Sequence, residues 1–97
     1  MTFDDFQALI EKMYSDKDRQ RGTPATFLWL IEEIGELATA LREGSQEEKE
    51  AEFADVVAWL VTIANINDVN LTRALEAKYG TGCPGCGHLV CTCSTKP

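Results

Sequence analysis

The chain has 97 residues, with 9 Lys plus Arg against 16 Asp plus Glu and a formal net charge of −7. That length allows one domain with a thin core, which calls for help from oligomerisation, a bound metal, or both. Residues 32–55 hold nine acids against Arg42 and Lys49, so their net of −7 equals the whole imbalance. Such a field repels a nucleic-acid polymer and suits cations. Hydrophobic residues make up 44%, ordinary for a globular chain and against wholesale disorder.

The start, MTFDDFQALIEK, is acidic and amphipathic and has no small-residue cleavage site, so no signal peptide is read there. Thr2 is positioned to cap a first helix, with Asp5 answering three residues on. Phe3, Phe6, Ile10 and Met13 then recur at helical spacing. This helix is predicted to stop near Asp16, where the polar run SDKDRQRG reads as a loop carrying Lys17, Arg19 and Arg21. Thr23-Pro24 opens a second helix. Its apolar stripe is Phe27, Leu30, Ile31, Ile34, Leu37, Ala38 and Leu41, and Gly44 ends it. Ser45 with Glu48 opens a third helix that runs to about Asn67, and Asn70 caps a short fourth that ends at Gly80. No strand pattern or repeat is present. The longest apolar stretch, Phe53 to Ala64, is too short to span a bilayer. The expected fold is all-α: about four helices in a small antiparallel bundle that oligomerises, spanning residues 1–80, with a Cys-rich tail over 81–97.

Two acid pairs carry the chemistry. Glu33 and Glu36 are three apart on the second helix, on a face turned away from the stripe centred on Ile34, with Glu32 at its edge. Glu52 and Asp55 repeat that spacing on the third helix. There the run from Phe53 to Ala64 is apolar nearly all round, so the helix is expected to be central. Carboxylates in such a helix are costly unless paired or bound to metal. Four converging carboxylates would repel one another. A divalent cation resolves that, and an all-oxygen set suits Mg²⁺ or Mn²⁺ with substrate phosphate as a further ligand. The reaction this implies is attack of a metal-activated water on a phosphoryl group. An acid-rich helix face is also commonly just a solvated face.

Glu32-Glu33-Ile34-Gly35-Glu36 followed by Glu52-Phe53-Ala54-Asp55 resembles the double signature EExxE…ExxD of the MazG-like nucleotide pyrophosphohydrolases. The resemblance covers roughly residues 3–80. It implies an all-α fold that forms homodimers or homotetramers, and Mg²⁺-dependent cleavage of a nucleoside triphosphate to monophosphate and pyrophosphate. Glu33, Glu36, Glu52 and Asp55 would be the metal ligands, and Glu32 either a further ligand or the group that polarises the attacking water. The phosphoribosyl-ATP pyrophosphohydrolase of histidine synthesis is a close relative by motif. Trp29 and Trp59 lie one turn from these acids and can stack on a base, or serve as core or interface aromatics. Lys78 matches a lysine common in the family and, with Arg19 and Arg21, is a candidate for phosphate contact.

All four cysteines, Cys83, Cys86, Cys91 and Cys93, fall in the tail. Without a secretion signal, that crowding points to structural Zn²⁺ rather than a disulfide scaffold. His88 can replace one ligand, and the set can be shared between subunits. Free thiols, a redox pair and a disulfide are the alternatives. The function expected is a cytoplasmic nucleotide pyrophosphohydrolase that needs neither a nucleic-acid polymer nor a membrane, with removal of non-standard nucleotides as one role. The competing class is a non-catalytic helical module whose zinc tail binds a partner.

Overall fold

The computed structural model describes residues 1–95 and contains three helices and no strand among them. They are α1 (Phe3–Glu43), α2 (Gln46–Ile66) and α3 (Leu71–Tyr79). Each begins where its cap places it. Thr2 with Asp5 and Ser45 with Glu48 form complete capping boxes, and the Asn70 side chain accepts from the Arg73 N–H. Gly44 closes α1, its N–H donating to the Ala40 carbonyl.

The expected loop at 15–22 is instead helix. The first segment of α1 continues to Gly22, which breaks the helix at φ 79, ψ 171. The reason is local pairing. Arg21 binds Asp18 one turn back, and Arg19 reaches Glu11 at 2.6 Å, so the charged run satisfies itself along a helix. Gly22 takes the positive φ that side chains resist. Pro24 follows in the first turn of the second segment, where its missing N–H costs nothing. Split at this kink, the helices number four. Arg19 and Arg21 therefore ride on a helix rather than a loop.

The second segment of α1 and α2 form an antiparallel hairpin around Gly44-Ser45. Asn67 donates to Thr23 at 3.1 Å at one end, and Glu36 neighbours Glu52 toward the other. The first segment packs on the C-terminal half of α2 through a buried amide knot. Gln7 donates to Asn65 Oδ1 at 2.9 Å and to the Val69 carbonyl at 2.7 Å. It also accepts from the Leu71 N–H at 3.0 Å, which docks the start of α3. Each polar group buried there has a partner, as burial requires.

The core is small: Ile10, Leu30, Ala40, Val61 and Ala64. Here two expectations fail. Most of the stripe on the second segment faces outward, with Phe27, Ile31, Ile34 and Leu41 about half exposed, while Leu30 alone of its large members is fully in the core. Nor is α2 central in a single chain, since Phe53, Val57 and Leu60 are exposed too. The face of α1 that meets α2 is the one bearing Thr26, Leu30, Glu33 and Ala40. The two segments of α1 that pack on α2 leave part of a helix that is apolar nearly all round uncovered. The exposed area, 7095 Å², exceeds the roughly 5,500 Å² typical of a monomer of 10.7 kDa. The radius of gyration of 15.8 Å likewise exceeds the roughly 12.5 Å of a compact chain this long. No helix is long and apolar enough to cross a membrane among the described residues.

Candidate functional site

Turning the acidic face of α1 toward α2 assembles the carboxylates. One oxygen each from Glu33, Glu36 and Glu52 lies within 4.8 Å of the others. Glu33 and Glu52 are half-buried, and each leaves a buried Oε2 with no hydrogen-bond partner. Both have carboxyls raised above the ordinary 4.5, first by desolvation and then by the charges of Glu36 and Asp55. Among the described residues, no Lys or Arg is paired with any of the three. Orphaned, crowded carboxylate oxygens on two rigid helices suit a hard divalent cation, which would satisfy the free lone pairs and offset the repulsion.

Asp55 stands apart from this tight group. It is exposed and close enough to act on Glu33 and Glu52 through its charge, but it lines the neighbouring cleft. Glu32 is exposed and outside the cluster. A cleft of about 330 Å³ opens beside Asp55, walled by Tyr14, Lys17, Asp18, Arg21 and Trp59. On the other side lies an open acidic groove walled by Glu36, Glu43, Glu48 and Glu52. The carboxylate cluster thus sits between an aromatic, partly basic cleft and an acidic groove.

Trp59 shapes the first cleft. Trp29 stacks on it with centroids 6.1 Å apart and planes inclined by 13°, and the Arg21 guanidinium lies 4.8 Å over its ring. Arg21 is held in turn by Asp18 and by Thr26 Oγ1 at 3.2 Å. Asp18 is only 3% exposed, and its second oxygen has no partner. Of the residues expected to contact substrate, Trp59 and Arg21 line this cleft, and Trp29 supports Trp59. Arg19 is engaged elsewhere, bridging Glu11 and the Asn65 carbonyl. Lys78 lies on α3, its ammonium 5.5 Å over the Tyr79 ring, and lines neither cavity beside the acids. Sequence reading missed Asp18, Lys17 and Tyr14 as wall residues. The available signal was the three-residue spacing of Asp18 and Arg21, which marks an ion pair on a helix.

The second cluster is the tail. Cys83, Cys86, Cys91 and Cys93 are unpaired, and their four Sγ atoms lie within 4.8 Å of one another. The backbone N–H groups of Thr92 and His88 hold the Cys86 thiol at about 5. The backbone N–H of Cys93 lowers Cys91. His88 is turned to Thr92, Nδ1 to Oγ1 at 2.8 Å.

These features define a helical protein with an acidic site able to hold a divalent metal between two helices, beside an aromatic cleft. Residues 21–85 match the model of the MazG nucleotide pyrophosphohydrolase domain, and the chain belongs to that family. The match takes in both acid pairs and stops within the cysteine segment. No curated protein is similar enough to match.

Proposed function

We propose that this protein is a Mg²⁺-dependent nucleoside triphosphate pyrophosphohydrolase that releases nucleoside monophosphate and pyrophosphate. The observation that carries the reading is the convergence of Glu33, Glu36 and Glu52 within 4.8 Å, with orphaned oxygens, on a chain of this family. Those three carboxylates, with Asp55 on the cleft side, would hold the cation. When bound, Mg²⁺ (or Mn²⁺) offsets polyphosphate charge and makes phosphorus more electrophilic. The chain's own part is positional. Trp59, braced by Trp29, offers an aromatic wall to the base, while Arg21 and Lys17 offer positive charge to phosphate oxygens. Glu32 remains outside the ligand set, free to accept a proton from water.

Two further readings belong to the proposal. The outward stripe of Phe27, Ile31, Ile34 and Leu41, together with Phe53, Val57 and Leu60, is covered by a second copy of the chain, because exposed apolar patches of this extent mark interfaces. Four unpaired thiols suit a reducing compartment, the cytoplasm.

The test is a product assay with Mg²⁺ and a panel of canonical and modified nucleoside triphosphates plus phosphoribosyl-ATP. Monophosphate with pyrophosphate is expected, and the panel ranks base and sugar. Diphosphate with phosphate would overturn the cleavage position. Folded protein that turns over none of them would leave a non-catalytic helical module.

A further inference from the structure

We infer that Cys83, Cys86, Cys91 and Cys93 form a closed Zn²⁺ site within one chain, separate from the carboxylate site and outside its chemistry. The argument begins with sulfur geometry. Zn–S bonds of about 2.3 Å in a regular tetrahedron place neighbouring sulfurs about 3.8 Å apart. Cys83 Sγ lies 3.6 Å from Cys91 Sγ and 3.9 Å from Cys93 Sγ, and all four sulfurs fall within 4.8 Å of one another. The cluster therefore has nearly the size of a metal-filled tetrahedron. The four sulfurs come from one chain, so no ligand from another subunit is needed. They also fill the coordination shell and leave no open position for substrate, which distinguishes a structural site from a catalytic one.

The backbone is arranged for thiolates. Thr92 N–H donates to Cys86 Sγ at 3.4 Å and Cys93 N–H to Cys91 Sγ at 3.3 Å. Cys83 N–H donates to the His88 carbonyl at 2.8 Å, and Gly87 N–H to the Cys83 carbonyl at 2.7 Å, which folds the first pair into a tight turn. Gly82 enters this turn at φ 124, and a Cβ there would stand 2.8 Å from the His88 carbonyl oxygen. His88 is committed to Thr92 and is not among the four clustered ligands. The ligand set is thus four thiolates, soft donors that select zinc over the hard cations suited to the acidic site.

The energetic context agrees. Residues 83–93 bury no side chain fully, and Leu89 and Val90 are 92% and 80% exposed. Hydrogen bonds of Cys83, Cys86, Cys91 and Cys93 among the described residues all stay inside this segment. Apolar burial and docking on the helices cannot offset the entropy of ordering the loop. A metal can, because in small cysteine sites binding and folding are one event.

The test is metal analysis of the full chain purified without chelator, alongside Cys83→Ser/Cys93→Ser and, as a control on the other site, Glu36→Gln. We expect about one zinc per chain in the parent and in Glu36→Gln, and less than about a fifth in the double serine variant. A second readout on the parent removes any dependence on how that variant folds. Zinc removal should expose all four thiols to a thiol reagent and raise amide exchange over residues 82–93, with the far-UV helical signal unchanged. Half a zinc per chain would overturn the single-chain site. Iron in place of zinc would overturn the metal, and loss of zinc in Glu36→Gln would overturn its location. Thiols equally reactive with and without added Zn²⁺ would overturn the site itself.

Discussion

Asp18 and Arg21 offer the sharpest test of how the cleft is held. Asp18→Ala leaves the Arg21 guanidinium with Thr26 Oγ1 and the Trp59 ring as its remaining partners. The Asp18 side chain is 5% exposed and that of Arg21 23%, so water reaches the arginine once its partner is gone. The loss should therefore fall below the roughly 3–5 kcal/mol of breaking a fully buried pair. It should match a charge-assisted hydrogen bond, about 1.5–3 kcal/mol. Asp18→Ala also removes the orphaned Oδ2, which returns part of the loss. A coupling of about 2 kcal/mol is expected in a cycle of Asp18→Ala, Arg21→Ala and the double variant. For a domain of this size the single Asp18 variant should melt about 10 °C lower. The assay is thermal and urea unfolding at one fixed protein concentration, since association would shift the midpoint. A coupling under about 0.5 kcal/mol would refute the reasoning, because it is the level of an exposed surface pair.

Glu36→Gln and Glu52→Gln should each lower kcat/KM at least about a hundredfold while the helical signal and melting temperature of the metal-free protein hold or rise, because one repelling charge is removed; near-parental turnover in both would break the link between cluster and catalysis. The raised carboxyls of Glu33 and Glu52 make the metal-free protein lose stability as pH rises from the ordinary carboxylate value of 4.5 through their folded values. The native state holds more protons in that window, so melting temperatures should climb on acidification from neutrality toward it, and saturating Mg²⁺ should flatten the slope. Gly22→Ala forces a side chain to φ 79 at the kink and should cost about 1–2 kcal/mol, read as a lower urea midpoint. An unchanged midpoint would mean that the two segments of α1 tolerate another break.

Much of the local structure and half of the site were legible in the residues alone. Helix starts at Thr2, Ser45 and Asn70 are chemical statements, since an oxygen must meet the free N–H groups of a first turn. The spacing of Glu33 with Glu36 and of Glu52 with Asp55 set each pair on one helix face. The tail's thiolates were likewise visible as a set. The run from Ser15 to Gly22 was misread because charged residues look solvated until their partners are known. Asp18 is buried only because Arg21 sits one turn on and α2 covers them both.

Helical periodicity determined which side chains travel together along each rod. It did not determine which face of the rod meets its neighbour, because the rotation of one helix against another is decided by packing over the whole hairpin. That choice turned Glu33 and Glu36 toward α2 and left Phe27, Ile31 and Ile34 outside, where the apolar pattern had placed the core. It also separated Asp55 from the tight carboxylate group and gave it to the cleft with Trp59. The chain by itself thus supplied the acids, the cysteines and the ends of the helices. Tertiary packing alone decided which acids converge, which arginine faces the cleft, and which apolar surface remains uncovered.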